Sequence, residues 1–133
     1  MRPSVAGMAE DPRRSVGALG ERLAAEHLAA RGYELLERNF RTRYGELDLV
    51  ARSGRFLVFC EVKTRISAGP PGPFGPLASV GGRKRAQLRR MAGQWLHERS
   101  APGGPRQARF DVIGIILDPA GRLLSLEHVE DAF

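Results

Sequence analysis

The sequence predicts an α/β fold in which helices flank a mixed β-sheet, with the elements in the order α-β-β-β-α-β-β. Apolar residues recur at helical spacing in two segments, 15–31 and 82–99. Five shorter segments carry β-forming apolar residues and are bounded by turn residues. The hydrophobic content of 42% in 133 residues is sufficient for the core of one domain.

The first helix is predicted to follow a flexible N-terminal arm, residues 1–14, and to open a single domain of residues 15–133. Ser15 is a suitable N-cap because its hydroxyl can accept a bond from a backbone N–H of the first turn. We expect the helix to extend to about Arg31, and Gly32 is the residue type that commonly ends a helix.

Two stripes of this helix compete for the core. One is small and apolar apart from one carboxylate, and it comprises Gly17, Gly20, Glu21, Ala24 and Leu28. The other comprises Leu19, Leu23 and Ala30. We favour the first stripe, which would pack closely and bury Glu21 in the contact. If the second stripe faces the core, Glu21 is a solvated surface group.

Three strands are predicted next, at residues 33–39, 46–52 and 56–63. A short basic turn at residues 41–45 joins the first pair, and Ser53-Gly54-Arg55 forms a hairpin turn between the second pair. Residues 66–80 are then dense in Pro and Gly, so we expect a flexible surface loop there.

The second helix is predicted at residues 82–99. Its core-facing stripe consists of Leu88, Met91, Ala92, Trp95 and Leu96. Its first half is crowded with cations, which suits phosphate binding at a helix N-terminus better than it suits the helix dipole. A second flexible loop, residues 101–107, then precedes two strands at 109–117 and 123–129.

Charge and cysteine content narrow the class of protein. The net charge of +6 and the pI near 10.6 favour a polyanionic partner, either nucleic acid or an anionic membrane surface. No strongly amphipathic basic helix with exposed aromatics supports the membrane alternative. The single cysteine, Cys60, lies in an apolar strand and is expected to be a core residue in a reducing compartment. Without a signal peptide or membrane span, the chain is expected to be cytoplasmic.

The third strand carries the strongest functional signal. It is apolar at 56–60 and then places Glu61 and Lys63 at alternate positions, so that both project from one face. By the same rule Glu46 and Asp48 share a face of the preceding strand. Ionised groups on buried strands are costly unless they pair or hold a metal. This pattern indicates a metal-dependent phosphodiesterase site.

Lysine is rare in this chain, which strengthens the functional interpretation of Lys63. Only Lys63 and Lys84 are lysines among 21 cationic side chains, so arginine is the usual choice where only positive charge is needed. Lysine differs from arginine because its pKa falls readily on burial.

The arrangement resembles the restriction-endonuclease-like PD-(D/E)xK superfamily, and within it the YraN family of small bacterial proteins, described as predicted endonucleases related to Holliday-junction resolvases. The similarity covers about residues 15–133. The matching segments are Gly17–Glu21 with Ala24, Gly32-Tyr33, Glu37–Arg41, Gly45–Leu49, Val58–Arg65, Phe74-Gly75, Lys84, Arg109–Val112 and Ala132-Phe133.

The resemblance implies a restriction-endonuclease-like core in which Asp48 and Glu61 bind Mg²⁺ or Mn²⁺. Such ions prefer carboxylate, water and phosphate oxygens. It also implies that Glu21 reaches the site, either as a further metal ligand or as an orienting group. Lys63 would orient the attacking water, help to deprotonate it, or stabilise the pentavalent phosphorus.

Alternatives remain for several residues. Asp48, Glu61 and Lys63 would form only a buried salt bridge if no metal binds. Glu46 lies at the edge of the site or pairs with an arginine. Asp111 is expected to be a buried partner of Lys63 or of a backbone donor rather than a metal ligand. His27, His97 and His128 show no ligand spacing and are interpreted as surface or packing residues.

The residues expected to contact nucleic acid are Lys84, Arg41, Arg43 and Arg65, with simple solvation as the alternative for the first three. The predicted function is a Mg²⁺- or Mn²⁺-dependent endonuclease acting on nucleic acid, with structured or branched DNA favoured over RNA. The alternative is a binding module that keeps the nuclease fold and cuts nothing. A homodimer is compatible with one small subunit that carries a single site.

Overall fold

The chain forms two helices and five strands in the predicted order. The computed structural model describes residues 12–67, 80–99, 104 and 107–133. The elements are α1 (Pro12–Ala30), β1 (Glu34–Thr42), β2 (Gly45–Ser53), β3 (Phe56–Ile66), α2 (Gly82–Arg99), β4 (Gln107–Leu117) and β5 (Leu123–Val129).

The strands form one mixed sheet in the order β1-β2-β3-β4-β5. Strands β3 and β4 are parallel, and the other three neighbouring pairs are antiparallel. A parallel pair requires a crossover, and α2 supplies it. The predicted α/β class with a mixed sheet flanked by helices is therefore confirmed.

Each face of the sheet is covered by one helix. Ala24, Ala25 and Leu28 of α1 belong to one apolar cluster with Val58 and Cys60 of β3. The opposite cluster joins α2 to the other face of the sheet and contains Leu57, Phe59, Leu88, Met91 and Trp95. The predicted core positions of Cys60 and Trp95 are confirmed. Strand β3 thus packs against the apolar face of a helix on each side, which explains its long apolar run.

Several element boundaries differ from the prediction, and Arg41 and Thr42, expected in the basic turn, belong to β1. Helix α1 begins at Pro12 rather than at Ser15, since proline is well tolerated in the first helical turn. Ile66 and Gln107, predicted to lie in loops, end β3 and begin β4. Residues 1–11, 68–79 and most of 100–106 lie outside the described residues, and so do the arm and loops predicted there.

Helix α1 turns the favoured stripe towards the sheet. Gly20, Ala24 and Leu28 are buried, while Glu21 is half-buried at the edge of the contact. The close approach occurs at Gly20, where a Cβ atom would lie 2.8 Å from Thr64 Cβ. Only glycine permits this distance between α1 and β3, and the approach brings Glu21 to the sheet edge.

Replacing Gly20 with alanine is therefore expected to lower the free energy of unfolding by about 1–3 kcal/mol, because Thr64 must shift. Gly17→Ala is the matched control. A Cβ at Gly17 would have nothing within 4 Å, so the helix should gain up to about 1 kcal/mol. Urea unfolding of both variants measures the difference. Equal losses in the two variants would contradict the close approach at Gly20.

The β1–β2 hairpin is irregular where it nears the end of α1. Its register shifts between Leu35 and Glu37. Asn39 has a positive φ of 53°, a conformation that asparagine tolerates better than most residues. Across the pair, Leu47 and Leu49 belong to opposite core clusters although they are two residues apart. Asp48 lies between them, at the point where the strand's alternation breaks.

Neither described helix combines the length and the apolar character that crossing a bilayer requires.

Candidate functional site

The site forms where β2 and β3 separate. Their backbone pairing extends from Ser53 and Phe56 to Leu49 and Cys60. Beyond this point a side chain replaces the strand partner, because Asp48 Oδ2 accepts the Val62 N–H at 2.8 Å. The carboxyl group of Asp48 is thereby held between the two strands.

Burial makes Asp48 an unusual acid. Loss of solvation and the neighbouring Glu61 carboxylate raise its pKa from 3.8 to about 8, and the Glu21 charge adds to the effect. The hydrogen bond from Val62 acts in the opposite direction but does not compensate. Asp48 thus lies among acids in a partly dry environment, where a cation would be strongly favoured.

Glu61 is the most buried acid of the site, with a side chain only 5% exposed. Its Oε2 lies 3.4 Å from Lys63 Nζ and 3.3 Å from Lys84 Nζ. Its Oε1 has no hydrogen-bond partner anywhere in the described chain. A buried carboxylate oxygen without a partner is costly, so this atom marks a position where a ligand would be stabilising.

A second group of carboxylates adjoins Asp48. Ligand atoms of Glu21, Glu46 and Asp48 all lie within 4.8 Å of one another. Asn39 Nδ2 donates to Glu21 Oε1 at 2.7 Å and to Glu46 Oε1 at 3.1 Å. Asn39 therefore holds two of these acids in place from β1.

The predicted site residues are brought together around Asp48. Glu21 adjoins Asp48, the Glu61 charge raises the pKa of Asp48, and Lys63 pairs with Glu61. Glu46 was expected either to lie at the edge of the site or to pair with an arginine. It adjoins Asp48 and also forms a 3.2 Å ion pair with Arg41.

Two of the four cations expected to contact nucleic acid, Lys84 and Arg41, pair with acids of the site. Lys84 reaches Glu61 from the first turn of α2. Arg41 is 83% exposed beside Glu46, and Arg43 is exposed and donates from Nη2 to the Tyr44 hydroxyl at 2.8 Å. Arg65 is exposed at the end of β3.

Sequence reasoning missed two residues near the site. Asn39 orients Glu21 and Glu46. The sequence signal for this role was the presence of asparagine, a residue type depleted in strands, inside a strand-forming segment. Tyr44 lies under two guanidinium groups, Arg43 at 4.9 Å and Arg90 at 5.8 Å from the ring centroid. Gln87 Nε2 donates to Tyr44 O, which attaches this hairpin to α2.

Asp111 forms a separate buried network. The expectation that Lys63 is the partner of Asp111 is wrong. Arg109 instead binds both carboxylate oxygens of Asp111, at 2.9 and 2.8 Å, because residues two apart on a strand share a face. The expected backbone donor is confirmed, since Asp131 N–H bonds Oδ1 at 3.1 Å. These bonds hold the pKa of Asp111 below its usual value despite burial.

Histidines also belong to this network, so the interpretation of His27 and His128 as ordinary surface or packing residues was incomplete. His128 Nε2 lies 2.8 Å from Asp111 Oδ2, and His27 Nε2 lies 3.1 Å from His128 Nδ1. Asp111, His128 and Glu130 are close enough to hold an ion, but the Arg109 guanidinium already neutralises Asp111. We interpret the network as structural.

Comparison with known proteins identifies relatives across nearly the whole chain. The model of "Uncharacterised protein family UPF0102" matches residues 20–115. A UPF0102 protein of Frankia alni is 46% identical over 127 residues, covering 95% of this chain and 100% of the relative. A UPF0102 protein of Moorella thermoacetica is 46% identical over 91% of this chain and 97% of its own length. UPF0102 is also called the YraN family, so the predicted resemblance is confirmed.

Proposed function

We propose that this chain, which belongs to the uncharacterised protein family UPF0102, is a divalent-metal-dependent endonuclease that hydrolyses phosphodiester bonds in nucleic acid, with structured or branched DNA as its substrate. The observation that carries the proposal is the pairing of Asp48 with Glu61 where β2 and β3 separate. One oxygen of the buried Glu61 carboxylate is without a partner among the described residues.

The residues present fit a bound Mg²⁺ or Mn²⁺. Glu61 Oε1 lacks a hydrogen-bond partner among the described residues, and the pKa of Asp48 is raised by burial and by the neighbouring Glu61 charge, both of which a cation would offset. Asp48 and Glu61 would hold the ion, with Glu21 as a further ligand or an orienting group. When bound, the ion would lower the pKa of a coordinated water and offset charge on the phosphate.

The cations of the chain supply the remaining roles. Lys63 lies at the edge of the site, where its ammonium group orients the attacking water, assists its deprotonation or stabilises charge at phosphorus. Lys84 approaches the same Glu61 oxygen from α2 and is placed to bind a phosphate oxygen. Both lysines are partly exposed, so they remain accessible to a substrate.

Cleavage of plasmid, flap and four-way-junction DNA in Mg²⁺ or Mn²⁺ tests the proposal. Asp48→Ala and Glu61→Ala are each expected to lower the rate by about a thousand-fold or more, since each removes a ligand of the ion. Glu127→Ala removes an exposed acid from β5 and is the control expected to keep the activity. Activity that survives both site substitutions would refute the proposal.

One observation favours the binding-module alternative: Lys63 and Lys84 already neutralise Glu61 without a metal. Calorimetric titration with Mg²⁺ separates the two functions. A nuclease should bind the ion in a manner that Asp48→Ala abolishes, whereas a pure binding module should show no Asp48-dependent affinity. We further propose a homodimer, which light scattering of the purified chain would detect.

A further inference from the structure

A cavity of about 550 Å³ adjoins the candidate site, between the N-terminal half of α1 and the end of β3. Glu21 and Lys63 line it and also belong to the site, so the cavity borders the site. Its volume is within the range of about 300–1,000 Å³ that is typical of pockets for small organic groups. A group held here would lie next to the reacting phosphate.

The lining of the cavity is mostly apolar. Val16 of α1 and Val62 of β3 line it, and so does Ile66, which is 49% exposed at the end of β3. Gly17 lines the cavity without a side chain. A Cβ atom added there would meet nothing within 4 Å. An apolar lining of this kind suits the ring of a nucleobase.

Positive charge lies beside these apolar walls. Lys63 and Arg65 both line the cavity; Lys63 is half-buried and Arg65 is exposed. The combination of apolar walls with cations matches a nucleotide, which has an aromatic base attached to a charged backbone. A free phosphate would not use the apolar walls, and an apolar ligand would not use the cations.

We propose that this cavity receives an unpaired nucleobase next to the scissile phosphate. The proposal rests on the proposed nuclease function and specifies its substrate class: strands, flaps, bulges or branches with an unpaired nucleotide at the cut. A base in an intact duplex is stacked and paired, so it enters such a pocket only after unstacking. Fully paired duplex is accordingly the poorer substrate.

Binding measured by fluorescence anisotropy in EDTA tests the pocket without cleavage. The probes are a short thymidine strand and an abasic strand with the same number of phosphates. The wild-type chain is expected to bind the thymidine strand about ten-fold more tightly, the difference being base stacking. Gly17→Phe fills the cavity and should remove this difference, whereas Gly17→Ala should keep it.

Two results would overturn the pocket: equal wild-type affinity for both strands, or a Gly17→Phe variant that keeps the preference. If Gly17→Phe does not fold, Ile66→Ser replaces it and should weaken only thymidine-strand binding. Its control is Leu36→Ser, a 39% exposed apolar residue on β1 outside the cavity. If the base preference persists but no cleavage is found, the nuclease proposal fails and the pocket stands.

Discussion

Replacing Asp48 with asparagine is expected to stabilise the fold at pH 8.5 while removing its response to Mg²⁺. Asp48 has a pKa near 8 in the folded chain and near 3.8 when unfolded. The folded state therefore binds more protons between these values, and wild-type stability falls as pH rises through this window. Asparagine does not ionise, so the stability of the variant should not show the decrease with pH that ionisation of Asp48 causes.

Thermal unfolding at pH 5 and pH 8.5 measures the effect. The advantage of Asp48→Asn over wild type should be small at pH 5 and reach about 1 kcal/mol or more at pH 8.5, equivalent to about one pKa unit. Saturating Mg²⁺ should raise the wild-type Tm at pH 8.5 and leave the variant unchanged. Glu127→Gln should follow wild type throughout.

The opposite sign would identify a structural role for Asp48. If Asp48→Asn is less stable than wild type at pH 8.5, the carboxylate acts mainly as an acceptor for Val62 N–H and fixes the strands. A carboxylate that costs stability when ionised is better explained by a ligand that the fold is built to bind.

Replacing Asp111 with asparagine is expected to have the largest effect on stability, a loss of about 3–5 kcal/mol. The carboxylate is fully buried and forms a bidentate pair with Arg109 and a contact with His128. Asparagine keeps the shape but leaves the Arg109 charge uncompensated. Urea unfolding measures the loss, with Glu127→Gln as an exposed control. A loss within 0.5 kcal/mol, about the range of ordinary surface substitutions, would contradict the role of the network.

The lowered pKa of Asp111 also predicts how the stability of the fold changes at acid pH. Its pKa is lowered in the folded state, so its contribution is complete above the unfolded value of 3.8 and disappears as pH falls through the folded pKa. Wild-type stability should therefore fall steeply below about pH 4, and the curve of Asp111→Asn should be flatter there. This dependence is opposite in sign to that of Asp48, so the two acids can be distinguished by pH alone.

The elements were largely predictable because their signals are local. The stripe from Leu88 to Trp95 and the turn residues Pro119-Ala120-Gly121 before Leu123 predicted α2 and β5 with the observed bounds. The start of α1 was predicted incorrectly. Ser15 is a suitable N-cap, so the sequence favours a start there over Pro12, where the helix begins. Gly20 on the favoured stripe indicated close packing, which the contact with Thr64 explains.

The site was predictable only where alternation along one strand placed residues together. Glu61 with Lys63 followed from this rule, and the same rule applied to Arg109 and Asp111 would have found their pair. The positions of Asn39 and Lys84 depend on a left-handed backbone residue and on the docking of α2, which no local pattern contains. The pairing of Ile113 with His128 likewise depends on the register of β5.

A crystal of the protein soaked in Mn²⁺ tests the central proposal most directly, because anomalous scattering locates the ion independently of activity. The predicted result is one peak in contact with the carboxylates of both Asp48 and Glu61, with an oxygen of Glu61 among its ligands. No peak at that position under saturating Mn²⁺, with Lys63 and Lys84 still paired to Glu61, would contradict a metal-dependent nuclease.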